Sequence, residues 1–116
     1  VVAHGESSSV ADNPKSALAE SFRSLRINLQ FFAAGKDPCV IGMTSTSSGE
    51  GKTFCSYNLS SILALSGKRV VLIGADLRRP SLGNHVALGG HPFGLTNFLI
   101  GQSSAQEVIM ETPQAN

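Results

Sequence analysis

Residues 46–53 read Thr-Ser-Ser-Gly-Glu-Gly-Lys-Thr, an order of residue types able to hold a phosphate group. Gly49 and Gly51 tolerate positive φ, so they can turn successive N–H groups inward as a nest of donors that a bulkier residue would close. A helix starting at Lys52 would add the positive end of its dipole to that nest. Lys52 can reach β- and γ-phosphates as a point charge, and the Thr53 hydroxyl can ligate Mg²⁺. The contacts expected for ATP and Mg²⁺ are therefore Ser48, Gly49, Glu50, Gly51, Lys52, Thr53 and Phe54, with Thr53 on the metal. The phosphate-loop pattern is met at its last glycine, its lysine and its threonine, while Thr46 stands where the pattern has glycine. The plainer alternative is a glycine-rich turn that only caps a helix.

The flanking elements favour the phosphate loop. Residues 39–44, Cys-Val-Ile-Gly-Met-Thr, carry apolar side chains on both faces, as a strand buried in a parallel sheet does. From Lys52 to Ser66 the spacing of Phe54, Leu59, Ile62, Leu63 and Leu65 predicts a helix, with Gly67 as its stop. Residues 69–73 repeat the buried-strand signature. Strand, helix, strand closes as a right-handed crossover, which puts the ends of both strands on one sheet edge. Asp76 follows the second strand and so falls on that edge, where a carboxylate could serve the magnesium or accept a proton. Its plainer role is a turn aspartate paired with Arg78 or Arg79. The fold class expected is α/β, a P-loop NTPase-like parallel sheet with flanking helices. Two such strands need neighbours for their unpaired backbone groups, so the chain reads as an incomplete, N-terminal part of the domain, or as one completed by another chain.

Upstream, residues 1–12 are small and polar and read as a flexible arm, leaving 13–116 as the folded part. Asn13-Pro14 is a helix-start signal. A helix over residues 14–32 would carry Leu18, Phe22, Leu25, Leu29 and Phe32 as one apolar stripe, ending at Ala33-Ala34-Gly35. Steps of three put Glu20, Arg23 and Arg26 along one flank of that helix, opposite much of the stripe. By spacing alone that flank is a solvated face with an internal Glu–Arg pair. Downstream, residues 76–90 read as loop, followed by short helices near 95–100 and 105–110.

Composition bounds the rest. Of the residues, 41% are hydrophobic and 15% charged, which excludes disorder, and no apolar run is long enough to span a bilayer. A net charge of +1 disfavours nucleic acid as a partner. His4, His85 and His91 share no ligand spacing. Cys39 and Cys55 read as free thiols of a cytosolic protein. Cys55 and Tyr57 are expected in the core, and Asn58-Leu59-Ser60 is a sequon set aside because it falls mid-helix.

Together these stretches resemble the cytoplasmic kinase domain of the bacterial tyrosine kinases that regulate capsular and exopolysaccharide export. The likeness lies in residues 13–26, 44–53, 70–80 and 94–99. It implies a P-loop fold that moves the γ-phosphate of ATP onto tyrosines of a neighbouring subunit, with Lys52 and Asp76 as catalytic residues and Thr53 and Asp76 at the magnesium. It also implies self-association into a ring through Glu20, Arg23 and Arg26. The implied partner is a membrane-anchored polysaccharide co-polymerase region, fused or separate, which would hold the domain at the inner face of the membrane. Gly74 departs from the family by occupying the first acid position of its Asp-x-Asp motif. Two other readings stand beside this one. A partition or cell-division-site ATPase would carry a lysine early in the loop, where this chain has Ser47. A ring-assembly module would use nucleotide only as a structural ligand.

Overall fold

The computed structural model describes residues 9–35, 38–78, 82 and 92–112. The chain falls into two units, the first ending at Val70 and the second beginning at Val71. The described helices are α1 (Ala17–Phe32), α2 (Lys52–Leu65), α3 (Leu95–Leu99) and α4 (Ala105–Val108).

In the first unit α1 packs on α2. Helix α1 begins at Ala17 and not at residue 14, because Ser16 is the cap: it is extended, with φ −72° and ψ 158°, and its hydroxyl accepts from the Ala19 N–H at 3.1 Å. Asn13 instead closes a turn, its carbonyl accepting from the Ser16 N–H. The Asn-Pro signal thus lay one turn early, and the serine that competed with it won the capping position. The helix ends with the Ala33 N–H on the Leu29 carbonyl at 2.9 Å, and Gly35 turns the chain at φ +78°.

Helix α2 is rich in serine, a modest helix former. Ser56, Ser60 and Ser61 direct their hydroxyls back to the carbonyls four residues earlier, at 2.8–2.9 Å, so these three serines find acceptors within the helix. It ends as expected at Gly67, φ +82°, in a Schellman arrangement: the Gly67 N–H bonds to the Ala64 carbonyl and the Lys68 N–H to the Leu63 carbonyl.

Val10, Ala19, Phe22, Leu59 and Ile62 form the buried core, flanked by Leu18, Leu29, Phe54, Cys55 and Leu63. Phe22 meets Phe54 edge to face, with ring centroids 6.3 Å apart. Of the expected apolar stripe, Phe22 is buried and Leu18 and Leu29 pack beside it, but Leu25 is exposed and Phe32 is 83% exposed. The row that joins the core runs instead through Ala19, Phe22 and Leu29. Part of the expected arm also belongs to this core. Residues 1–8 lie outside the described residues, but Ser9–Asp12 forms a turn closed by the Asp12 carboxylate on the Ser9 N–H and hydroxyl, and Val10 is fully buried.

The expected strands take no strand assignment, and the described residues contain none. Residues 39–44 and 69–73 lack helical structure, but Val40 is 95% exposed and Val71 and Ile73 are exposed too. A strand is defined by its ladder, and apolar rows of this kind are buried only when neighbours cover both faces.

In the second unit α3 packs on α4. Helix α3 is capped by the Asn97 side chain, which accepts from the Gly94 N–H at 2.9 Å, and it ends in its own Schellman arrangement at Gly101. Helix α4 is started by Glu107, whose carboxylate accepts from the Ser104 N–H at 2.7 Å and from its hydroxyl. These bonds hold the Glu107 carboxyl below its ordinary range. Both helices stand close to the expected ranges.

Candidate functional site

Gly49 and Gly51 sit in the left-handed region, at φ +84° and +86°. No heavy atom lies within 4 Å of where a Cβ would stand on either, so the glycines are required by backbone conformation and not by crowding. Gly51 is also the N-cap of α2 and offers no side-chain cap. The first intrahelical bond runs from the Cys55 N–H to the Gly51 carbonyl at 2.8 Å, which leaves the amides of Lys52 and Phe54 with no intrahelical acceptor. Two positive-φ glycines opening onto an uncapped helix start make a donor set suited to an oxyanion.

A pocket of about 320 Å³ opens beside this turn, lined by Met43, Thr44, Ser45, Thr46, Glu50, Gly51, Lys52 and Cys55. Lys52 is half-buried there, and its ammonium donates to the Ser45 hydroxyl at 2.7 Å. The Ser45 hydroxyl in turn donates to the Ser47 carbonyl at 2.8 Å. Glu50 folds back over the loop: it accepts from the Thr46 N–H at 3.0 Å, and from the Thr46 and Ser47 hydroxyls at 2.9 Å each. These bonds, led by the Ser47 hydroxyl, hold the Glu50 carboxyl below its ordinary range. Met43 lies against α2, its sulfur 3.2 Å from the Ser56 hydroxyl, whose proton is directed to the Lys52 carbonyl at 2.8 Å.

Glu50, Gly51 and Lys52 are therefore gathered at one pocket. Ser48 and Gly49 are exposed on the loop, and Thr53 is half-buried in the first turn of α2. Phe54 turns away from the loop, because its ring packs on Phe22, so only its main chain remains available to a nucleotide. Asp76 is exposed in the second unit, at a tight turn closed by the Leu77 N–H on the Ala75 carbonyl. Two residues earlier, a Cβ on Gly74 would come within 3.2 Å of the Leu82 side chain, which would have to give by a few tenths of an ångström.

On α1, Arg23 pairs with Glu20 at 3.1 Å and also donates to the Pro14 carbonyl. Arg26 does not share that flank. At about 100° per residue it falls between Ala19 and Phe22 on the helix circumference, and it is half-buried with its Nε lacking a hydrogen-bond partner. The step of three drifts about 60° per move, and two moves carry the row from the exposed face to the packed one.

Sequence reasoning missed Ser45, Thr46 and Ser47 as partners of Lys52 and Glu50. The spacing from Thr46 to Glu50 was a usable signal, because an acidic residue four positions on can fold back to the start of a turn. It also missed Asn58, which is buried in α2 and bonds to Val10.

Residues 41–91 match the model of the CobQ/CobB/MinD/ParA nucleotide binding domain. The chain is 38% identical over 95 residues to the succinoglycan biosynthesis transport protein ExoP of Rhizobium meliloti (strain 1021), covering 82% of this chain and 12% of that protein. It is 35% identical over 96 residues to the tyrosine-protein kinase YwqD of Bacillus subtilis (strain 168), covering 83% of this chain and 40% of the relative. Against the tyrosine-protein kinase ptk of Acinetobacter johnsonii the identity is 42% over 93 residues, covering 80% and 13%. The chain thus spans between 12% and 40% of the length of these relatives. No solved structure matches.

Proposed function

We propose, because the chain belongs to the bacterial tyrosine-kinase family, that it is the phosphate-binding part of an ATP-dependent protein-tyrosine autokinase of polysaccharide export. The observation that carries this is the pair of left-handed glycines at the uncapped start of α2, with Lys52 beside them. The amides around Gly49 and Gly51 hold the β-phosphate. Lys52, already reaching out of α2 to Ser45, draws off charge that builds on the terminal phosphates. ATP supplies the γ-phosphoryl group, which passes to a tyrosine hydroxyl of a neighbouring subunit.

The Thr53 hydroxyl is the first ligand proposed for magnesium. The ion takes few protein ligands and completes its shell with water and phosphate oxygens, so the Thr53 hydroxyl and one carboxylate suffice. We assign that carboxylate to Asp76, from its match to the second acid of the family motif, with the further task of receiving the tyrosine proton. Residues 39–44 and 69–73 are read as strands of the parallel sheet of the complete fold, which would cover their exposed apolar side chains. Glu20, Arg23 and Arg26 are read as contacts for self-association, and a membrane-anchored co-polymerase region as the partner that keeps the domain at the membrane.

The test is transfer of label from γ-labelled ATP to tyrosine in the complete protein. Asp76→Asn should abolish transfer and keep nucleotide binding. Full transfer in that variant would remove Asp76 from the chemistry. For assembly, Arg23→Ala with Arg26→Ala should lower the mass seen by light scattering, and an unchanged mass would leave Glu20 and Arg23 as solvated surface and Arg26 as a residue packed within its own subunit.

A further inference from the structure

We propose that Glu50 is a positioning residue, which braces the phosphate loop through Thr46 and Ser47 and so does the work of the glycine absent from the loop's first position. The inference rests on the nucleotide reading above. Glycine at that position would let the loop turn freely, whereas Thr46 carries a side chain that has to be placed. Glu50 places it: one carboxylate oxygen accepts from the Thr46 N–H, and the other accepts from the Thr46 and Ser47 hydroxyls. The ring closed in this way spans residues 46–50 and holds Gly49 within it.

The brace extends to the lysine. The Ser47 carbonyl, fixed by its own side chain's bond to Glu50, accepts from the Ser45 hydroxyl, and that hydroxyl accepts from Lys52 Nζ. Glu50 therefore orients the ammonium through three linked bonds without pairing with it directly. Hydrogen bonds to the ionised form hold the carboxyl below its ordinary range, so the brace acts as an acceptor-only anion at neutral pH.

A carboxylate lining the same pocket as Lys52 would also repel a nucleotide's phosphates, and this gives the proposal a sign. If Glu50 acts chiefly as a charge, removing the charge tightens nucleotide binding. If it acts as a brace, losing its reach weakens binding although the charge is kept. Glu50→Asp keeps the charge and loses a methylene of reach; Glu50→Gln keeps the reach and loses one acceptor.

The experiment titrates MgADP into the full chain by calorimetry. Glu50→Asp should raise Kd about ten-fold and Glu50→Gln about three-fold, steps of the size expected when one or two modest hydrogen bonds are lost. In a Thr46→Val, Ser47→Ala background, Glu50→Asp should change Kd by less than about two-fold, because most of its partners are gone. Tighter binding in Glu50→Gln, or wild-type binding in Glu50→Asp, overturns the proposal. Hydrogen exchange at the Thr46 amide of the nucleotide-free chain reads the brace separately: protection should fall in Glu50→Asp, and unchanged protection overturns the brace. If the wild-type chain takes no nucleotide, the nucleotide reading fails, and the exchange result still decides whether the brace exists.

Discussion

The Asn58 side chain accepts a 2.7 Å hydrogen bond from the Val10 N–H, 48 residues earlier in the chain, and both residues are fully buried. Its amide group donates to the Phe54 carbonyl at 2.9 Å, so Asn58 is satisfied on both sides. This bond fastens the segment before α1 to the middle of the helix that carries Lys52. The residue most exposed to misreading as a surface sequon is thus a buried tie between distant parts of the first unit.

Removing the tie orphans a buried donor. Asn58→Ala should lower stability by about 1–3 kcal/mol, the usual cost of an unsatisfied buried N–H. Urea unfolding should show an earlier midpoint with an unchanged slope. A variant as stable as wild type would mean that water replaces the amide oxygen.

The loop glycines are required for conformation, not for space. Gly51→Ala should cost about 1–2 kcal/mol, the penalty for a left-handed alanine, although nothing crowds its Cβ. Gly42, which also has open space but no positive φ, is the control: Gly42→Ala should stay within about 0.5 kcal/mol. Equal effects at the two sites in thermal unfolding would contradict the conformational argument.

Glu50 sets a pH dependence. Its carboxyl sits below the ordinary 4.5 in the folded chain, so the folded state favours the ionised form. The stabilisation is present above pH 4.5 and is lost as pH falls below it. The stability difference between wild type and Glu50→Gln should be constant from pH 7 to 5 and shrink below 4.5. A difference that grows on acidification has the wrong sign.

Gly74 can be tested by restoring the acid. Gly74→Asp brings its Cβ within 3.2 Å of the Leu82 side chain and, if that side chain does not give way, should cost up to about 1 kcal/mol. Leu82→Ala in the same chain should relieve most of that cost, a coupling readable by a double-mutant cycle. Additive effects would show that the two side chains do not compete.

Local chemistry was the legible part of the sequence. Gly49, Gly51 and Lys52 declared the loop because glycine and a following helix admit few alternatives, and the ends of α2 followed from Lys52 and Gly67. Selection among nearby options was harder to read. Ser16 displaced Asn13 as the cap of α1 through a local bond to the Ala19 N–H, and Ala19 displaced Leu25 in the row of α1 that joins the buried core. The strand signature in residues 39–44 and 69–73 reports burial that needs partners for its ladder, and apolar pattern alone does not supply them. The partners of Asn58 and Glu50 were hidden for another reason: side-chain hydrogen bonds are set by where the backbone brings groups together, and residue type only permits them.

We propose that the turn at Gly49 and Gly51, with Lys52, grips the phosphates of a nucleotide. It is tested most directly by following backbone amide resonances while MgADP is added to the full chain. The amides of Gly49, Gly51 and Lys52 should shift together along a single saturating curve, and Lys52→Met should weaken that curve at least ten-fold. Amides in this turn that stay still at saturating ADP, while the protein remains folded, would contradict the account.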